Sequence, residues 1–199
     1  MPEADKTRVP PPAAEGPLAD RELLLCVAGG IACYKAADLA SKLVQAGAAV
    51  RVAMTEAAQR FVCPLTFQAL TGREVHTTMW LGGEERGSRH IALTDRAALM
   101  IVAPATADII AKLAGGIADD LVSTLALAAQ GACPILLAPA MNTRMWLAAP
   151  TQANIARLRE WGLHVVGPAE GRLACGDTGP GRMAEPAEIL AKAVEILQD

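Results

Sequence analysis

The sequence predicts an α/β fold in which a parallel sheet carries helices on both faces. Short apolar runs alternate with helical patterns along the whole chain, and parallel strands need crossover helices that cover both faces of a sheet. Hydrophobic residues make up 52% of the 199 residues and charged residues only 20%, so the chain buries a large core. No internal repeat divides the sequence, and we expect one domain.

Each predicted element is bounded by a turn signal or a change of periodicity. The first apolar run ends at Gly29-Gly30, and a helical pattern follows that stops at Gly47. We expect strands at 23–28, 48–53, 99–103, 134–138 and 163–166, and further helices at 65–70, 107–113, 119–129, 151–161 and 186–197. This order predicts a single Rossmann-like (flavodoxin-like) domain over 23–199. It follows a leader, 1–22, that is rich in Pro, Ala and charge and that we expect to be disordered.

Charge and cysteine usage exclude several classes of protein. The formal net charge is −3 and no long Lys/Arg run occurs, so we expect no nucleic-acid partner. No apolar stretch reaches transmembrane length, so we expect no membrane association and a soluble, cytoplasmic protein. The five cysteines form no C-x-x-C pair, which indicates neither a disulfide scaffold nor a metal site.

Two strand ends carry small residues and a helix start. Gly29-Gly30-Ile31-Ala32 follows the first strand, where backbone N–H groups and the helix dipole favour an anion such as phosphate. The segment matches neither G-x-G-x-x-G nor the Walker pattern, and Thr55 follows the second strand where a ribose-binding acid would stand. A tight turn is the alternative. At 103–108, Thr106 or Asp108 offers a polar group to a ligand or simply caps the next helix.

The segments 139–146 and 173–181 point most directly to chemistry. The first, Pro-Ala-Met-Asn-Thr-Arg-Met-Trp, places an amide and two thioethers where a buried strand ends. In the second, we expect glycines and a proline to prevent regular structure while Cys175 is held beside Asp177. Together they suggest flavin-assisted chemistry on a thiol. Cys26 and Cys133 are most simply core residues.

His90 is the one histidine with a candidate catalytic role. It follows a polar, glycine-rich loop and opens an ordered segment, and a histidine there can exchange a proton near neutral pH. A surface or hydrogen-bonding role is the alternative. We assign no chemistry to His76 or His164.

These motifs, together with His90-Ile91-Ala92-Leu93, resemble those of the homo-oligomeric flavin-containing cysteine decarboxylases. The resemblance runs over 23–197. The P-x-M-N-x-x-M-W run is its most specific part, and Ala-Cys-Gly-Asp followed by Gly-Arg-Met-Ala-Glu-Pro resembles the phosphopantothenoylcysteine decarboxylases in particular.

The resemblance implies FMN as cofactor and a homo-oligomer as the working state. In that family FMN lies at a subunit interface of a homotrimer, and trimers can assemble into a dodecamer. The implied cofactor-binding residues are Gly29, Gly30, Ile31, Thr55, Thr106, Ala107, Asp108 and Ala140.

The resemblance also implies a reaction and roles for the site residues. FMN oxidises the thiol-bearing carbon of a cysteine with a free carboxylate to a thioaldehyde, and loss of carbon dioxide leaves an enethiolate. His90 is then the base, Asn142 holds the carboxylate and Met145 forms part of the wall. Where the enethiol is reduced afterwards, Cys175 donates the proton to carbon. The remaining substrate-binding residues form a clamp: Arg172, Leu173 and Ala174.

Three functions remain open from the sequence. The first is decarboxylation of 4'-phosphopantothenoylcysteine to 4'-phosphopantetheine in coenzyme A biosynthesis, which Cys175 favours. The second is decarboxylation of a C-terminal peptidyl cysteine, which releases an enethiol in peptide natural-product biosynthesis. The third is a regulatory flavoprotein without catalysis, against which the intact His90, Asn142 and Cys175 argue. An NAD-binding Rossmann domain is weaker, because its fingerprint is absent.

Overall fold

The structure is a computed structural model that describes residues 15–79, 89–173, 176 and 178–198, with the backbone alone at 89 and 90. Strands of the main sheet are β1 (Glu22–Val27), β2 (Ala49–Met54), β3 (Val75–His76), β4 (Leu99–Ala105), β5 (Ile135–Pro139) and β6 (His164–Val165). Within the described residues these six strands form one parallel sheet in the order β3-β2-β1-β4-β5-β6. A separate antiparallel hairpin consists of β7 (Ala169–Arg172) and β8 (Thr178–Arg182).

Helices cover both faces of this sheet. They are α1 (Cys33–Gln45), α2 (Glu56–Gln59), α3 (Pro64–Thr71), α4 (Arg89–Arg96), α5 (Ala107–Gly115), α6 (Leu121–Ala129), α7 (Thr143–Leu147), α8 (Ala149–Glu160) and α9 (Pro186–Gln198). One face packs on α1, α3 and α9, and the other on α4, α5, α6 and α8. The predicted α/β fold is therefore confirmed. In the part of the chain described, no helix has the length and apolar character needed to cross a bilayer.

Strand β1 is apolar from Leu23 to Val27 because the side chains on both of its faces are buried. Leu23, Leu25 and Val27 point into one core, whereas Leu24 and Cys26 point into the core on the opposite face. All five side chains are essentially buried, as expected for a central strand of a parallel sheet with helices on both faces.

The ordered domain starts earlier than the expected boundary at residue 23. Leu18 is fully buried in the same core as α1, and its N–H donates to the Ala46 carbonyl oxygen over 3.0 Å. Gly16 and Gly47 lie where this segment crosses the end of α1, each too close to neighbouring backbone for a side chain. Residues 15–22 therefore belong to the fold. The expected disorder of the leader stays a prediction for 1–14, which lie outside the described residues.

The sequence patterns missed α4, which has eight residues, and several shorter elements. Strand β3 has two residues, α2 has four and α7 has five, too few for a period to be visible. Helix α6 begins at Leu121 rather than at residue 119, because the Asp120 carboxylate caps it by accepting from the Ser123 N–H at 2.8 Å.

The expectation that 173–181 lacks regular structure is wrong for its second half. Residues 178–182 form β8, whose Pro180 pairs with Glu170 in a hairpin with no further strand beside it among the described residues. Proline is compatible with such an edge position. The glycines serve another purpose: a Cβ at Gly181 would lie 2.3 Å from the Met141 carbonyl oxygen, so only glycine lets β8 lie against the segment after β5.

Strand order places a crevice at one edge of the sheet. The chain leaves β1, adds β2 and β3 on one side, and returns to β4 on the other side of β1. Helices after β1 and β4 therefore diverge at their carboxyl ends, which is where open α/β sheets bind ligands. The loops beginning at Gly29 and at Thr106 meet at this point.

Candidate functional site

A cavity of about 740 Å³ opens at this crevice. Its size lies in the range of small-molecule and cofactor sites. Four segments line it: the loop and first turn of α1, the start of α5, the segment from β5 into α7, and the β7–β8 hairpin with the residue after it. The lining residues are Gly29, Gly30, Ile31, Ala32, Tyr34, Lys35, Thr106, Ala107, Asp108, Ala140, Met141, Asn142, Met145, Arg172, Leu173, Gly181, Arg182 and Met183.

The start of α1 reaches the cavity without a side-chain cap. Ala32 occupies the N-cap position and offers no side-chain acceptor to the first N–H groups of the helix. A tight turn is also present, since the Cys33 N–H donates to the Gly30 carbonyl oxygen at 3.0 Å. The positive end of the helix dipole therefore meets the cavity with no competing anionic or polar cap, as an anion site requires.

The start of α5 is capped. Thr106 Oγ1 accepts from the Ile109 N–H at 3.3 Å, so the capping interpretation holds for this residue while it also lines the cavity. Asp108 points largely into solvent, and its carboxylate lies 3.6 Å from Lys112 Nζ. The two interpretations of this segment are thus compatible.

The two glycines after β1 have different surroundings. A Cβ at Gly29 would lie 2.4 Å from the Cβ of Ala57, so α2 already occupies the space of a side chain there. A Cβ at Gly30 would make only ordinary contact, 3.5 Å, with the Thr106 methyl group. Packing explains Gly29, whereas Gly30 leaves open space that a ligand can use.

The segment after β5 carries the amide and thioether groups to the cavity. The Ala140 N–H donates to the Ala105 carbonyl oxygen at 3.0 Å and extends the sheet contact. Asn142 Oδ1 accepts from the Arg144 N–H at 2.8 Å and begins α7. This bond fixes the orientation of the amide, and Met145 stands one turn later with about half of its surface exposed.

The hairpin and the segment after β5 are joined directly. The Met141 N–H donates to the Gly181 carbonyl oxygen at 2.9 Å. The described parts of 139–146 and 173–181 therefore lie together at one cavity.

Sequence reasoning missed a charged group in this cavity. Lys35 is 6% exposed, and its Nζ donates to the Met183 carbonyl oxygen at 3.1 Å and to Glu185 Oε1 at 2.9 Å. The hydrogen bond from Lys35 is the main reason that the pKa of Glu185 lies below its ordinary value, with Arg182 adding to it. Helical spacing could have located this lysine, because Lys35 and the buried Leu39 are four residues apart on one face of α1.

Four predicted site residues are not among the described residues that line the cavity. Thr55 caps α2 by accepting from the Ala58 N–H at 3.1 Å and is absent from the described lining. His90 lies in the first turn of α4, but its side chain lies outside the described part of the chain, as do Ala174 and Cys175. Their roles stay predictions.

Two described thiols near the sheet have a raised pKa. Burial raises the pKa of Cys26 far above its ordinary range, and it also raises the pKa of Cys33, whose Sγ donates to the Ala28 carbonyl oxygen at 3.2 Å. Among the described residues, no group of three or more His, Cys, Asp or Glu side chains is arranged to hold a metal ion.

Known proteins share this architecture. The chain is 46% identical over 181 residues to the coenzyme A biosynthesis bifunctional protein CoaBC of Vibrio vulnificus. The matched region is 91% of this chain and 45% of that protein. The chain thus spans about half the length of the curated relatives it matches.

Solved structures agree over the full domain. A PPC decarboxylase mutant complexed with pantothenoylaminoethenethiol has a TM-score of 0.80 at 30% identity and covers 90% of this chain and 99% of its own. The FMN-dependent cysteine decarboxylase SpaF has a TM-score of 0.76 at 32% identity, and the match covers 92% of this chain and 99% of SpaF. The flavoprotein family model matches residues 13–198. Because that match includes the whole sheet and every wall of the cavity, the chain belongs to the flavoprotein family.

Proposed function

We propose that this chain binds FMN and decarboxylates a cysteine that has a free carboxylate, with 4'-phosphopantothenoylcysteine as the substrate. The observation that carries the proposal is the cavity itself. It combines an uncapped helix start at Ala32 with the amide of Asn142 and the cationic hairpin residue Arg172. The relatives named for coenzyme A biosynthesis and for PPC decarboxylation support the same reaction.

The residues present fit FMN. Small side chains and glycine at the carboxyl ends of β1, β4 and β5 allow close approach of a flat ring, and the uncapped start of α1 suits a phosphate. When bound, FMN supplies the two-electron oxidation of the thiol-bearing carbon. The residues that would hold it are Gly29, Gly30, Ile31, Thr106, Ala107, Asp108 and Ala140, and Thr55 remains a predicted contact.

Asn142 and Met145 suit a substrate that loses its carboxylate. The capping bond of the Asn142 oxygen orients an amide whose nitrogen is a donor, and a neutral donor holds a carboxylate without an ion pair that would oppose its loss. Met145 adds an apolar wall. We assign the base to His90 and the proton donor to Cys175, with Leu173 and Ala174 beside Arg172 in the clamp.

Cationic groups favour a phosphorylated substrate over a peptide. Arg172 and Arg182 line the cavity, and Asp108 is a carboxylate in the same lining. Lys35 also lines it, but its Nζ already bonds the Met183 carbonyl oxygen and Glu185. Guanidinium groups in the lining suit the phosphate of phosphopantothenoylcysteine. A peptide that ends in cysteine carries no such phosphate.

An apolar rim favours a homo-oligomer. Ile31 and Tyr34 are each 62% exposed beside the cavity, and Leu147 is 61% exposed on α7. Large apolar side chains grouped at a site mark a surface that another protein covers. We propose a homotrimer with this rim at the interface, and sedimentation analysis distinguishes it from a monomer or a dodecamer.

Mass spectrometry of reaction products tests the proposed function. Purified protein with bound FMN is incubated with phosphopantothenoylcysteine and, separately, with a peptide that ends in cysteine. We expect 4'-phosphopantetheine from the first substrate. An enethiol from the peptide, with phosphopantothenoylcysteine unchanged, would instead establish the peptide decarboxylase.

Two variants separate catalysis from binding. We expect His90→Asn and Asn142→Ala to retain FMN and to lower turnover by at least about 100-fold, as loss of a base or of substrate orientation does. Absence of turnover by the unaltered protein on both substrates would favour the regulatory alternative.

A further inference from the structure

Lys35 is an unusual residue for its position on α1. Its neighbours on the packed face of the helix, Cys33, Ala36 and Leu39, are all fully buried and apolar. An ammonium group in such a place is unfavourable unless it is paired and hydrogen-bonded. Its partners therefore identify what the residue is for.

Both partners follow β8 directly. Lys35 Nζ donates to the Met183 carbonyl oxygen and to Glu185 Oε1, and these atoms lie about 150 positions away in the sequence. One of the two is a backbone atom, so the lysine fixes the path of the chain as well as a side chain.

Glu185 connects this lysine to the hairpin. Its Oε1 also accepts from Arg182 Nη2 at 2.6 Å, and Arg182 is the last residue of β8. The backbone N–H of Glu185 donates to Glu188 Oε2, in the first turn of α9, at 2.8 Å. Glu185 thus joins α1, β8 and α9 at one point.

A second hydrogen bond holds the same strand. The Met141 N–H donates to the Gly181 carbonyl oxygen, two residues before Met183. Two attachments on neighbouring residues restrict rotation of the hairpin about its base, which one attachment alone would allow.

We propose that Lys35 is a positioning residue: through Met183 and Glu185 it anchors the base of the β7–β8 hairpin and so sets where Arg172 and Leu173 stand over the cavity. The inference rests on the proposed function insofar as the hairpin residues contact substrate. The anchoring itself does not depend on which substrate is used.

Lys35→Met, Glu185→Ala and the double variant test the anchor. The matched control is Lys42→Met on the same helix, because Lys42 pairs at the surface with Asp38, 3.1 Å away. All proteins are prepared with FMN and compared in two measurements. Limited trypsin digestion, followed by mass spectrometry, reports cleavage after Arg172 and Arg182. Steady-state kinetics reports kcat and KM.

We expect hairpin cleavage to be faster by about tenfold in Lys35→Met and in Glu185→Ala, because cleavage follows local opening. A hairpin that spends less time in its binding position also lowers apparent affinity, so KM should rise by about tenfold while kcat changes little. FMN content should stay unchanged, and Lys42→Met should match the unaltered protein. Because the bond between Lys35 and Glu185 is lost in both single variants, the double variant should show less than the sum of their effects.

Several results would overturn the proposal. Loss of FMN from Lys35→Met with normal hairpin cleavage would make the lysine a cofactor ligand. Additive effects in the double variant would show that Lys35 and Glu185 act separately. If the unaltered protein decarboxylates neither substrate, the proposed function fails, yet the cleavage comparison still decides the anchor. If Lys35→Met does not fold, Glu185→Ala decides it, because that side chain is 48% exposed and its removal leaves no buried cavity.

Discussion

Helices α1 and α5 begin at the same crevice but are completed in different ways. Thr106 caps α5, and Lys112 near its end contacts Asp119 and Asp120, which follow within eight residues. Among the described residues no side chain caps α1, and its buried lysine is bonded to groups that follow β8. The charged side chain of α5 thus has partners close by in the sequence, whereas that of α1 depends on a distant segment.

The difference indicates which helix responds to binding. A helix start that has a side-chain cap gains less from an anion than an uncapped start, which gains a favourable dipole interaction and hydrogen bonds. We expect changes at the start of α1 to alter affinity for the FMN phosphate, and loss of the Thr106 cap to alter stability.

The largest expected effect comes from a charge at the start of α1. Ala32→Asp places a carboxylate where we expect the phosphate, and repulsion should weaken FMN binding by about 100-fold relative to the neutral, isosteric Ala32→Asn. Fluorescence titration of the apoprotein measures this. Riboflavin, which has no phosphate, is the control ligand. Equal FMN affinity of the two variants would place the phosphate elsewhere.

The next largest effect is expected at the two glycines after β1. Gly29→Ala must displace Ala57, and such overpacking should lower the free energy of unfolding by about 1–3 kcal/mol. Gly30→Ala meets only ordinary contact with Thr106, so we expect little change in stability. Urea denaturation of the two apoproteins provides the measurement. A larger loss of unfolding free energy in Gly30→Ala than in Gly29→Ala would mean that α2 moves away from residue 29 without loss of stability.

A smaller effect is expected at the capped helix start. Thr106→Ala removes the acceptor for the Ile109 N–H and should lower the free energy of unfolding by about 1 kcal/mol. Thr55→Ala removes the same kind of cap from α2 and should lower the free energy of unfolding by a similar amount, so it is the matched control for stability. An unchanged free energy of unfolding in Thr106→Ala would mean that this capping bond does not stabilise α5.

The smallest effect concerns the lysine of α5 and depends on pH. Burial alone would raise the pKa of Asp120, but hydrogen bonds from Lys112 and Ser123 outweigh it and leave that pKa below the ordinary 3.8. Stability from this contact is therefore present above pH 3.8 and is lost as pH falls through the lower folded value. Lys112→Met should lower the free energy of unfolding by roughly 0.5–1 kcal/mol at pH 6 and by less in more acidic solution. Urea denaturation measures this loss, and a loss that is the same at pH 6 and in more acidic solution would contradict the assignment.

The sheet was predictable because its strands carry a strong local signal. The buried runs that became β1, β4 and β5 are apolar over their whole length, and turn residues bound them. The alternation of apolar runs with helical patterns also predicted both helix starts at the crevice. The positions of Asn142 and Met145 at the carboxyl edge followed in the same way.

The hairpin and the partners of the buried lysine were not predictable from local patterns. Glycines at 179 and 181 indicate a loop until Met141 and Thr143 are known to lie beside them. Helical spacing places Lys35 on the packed face of α1, but its partner, Glu185, comes from a remote part of the chain. Both features depend on long-range contacts, which override local preference.

The bond between Lys35 and Glu185 also sets an order of events during synthesis. The two residues are 150 positions apart, and at typical translation rates about 10–30 s separate their emergence. Throughout that interval the ammonium group has no counter-ion from this pair and is best hydrated by water. Helix α1 therefore reaches its final packing only after Glu185, just before α9, has been made, and a ribosome that stalls between the two would leave a sheet without a finished binding site.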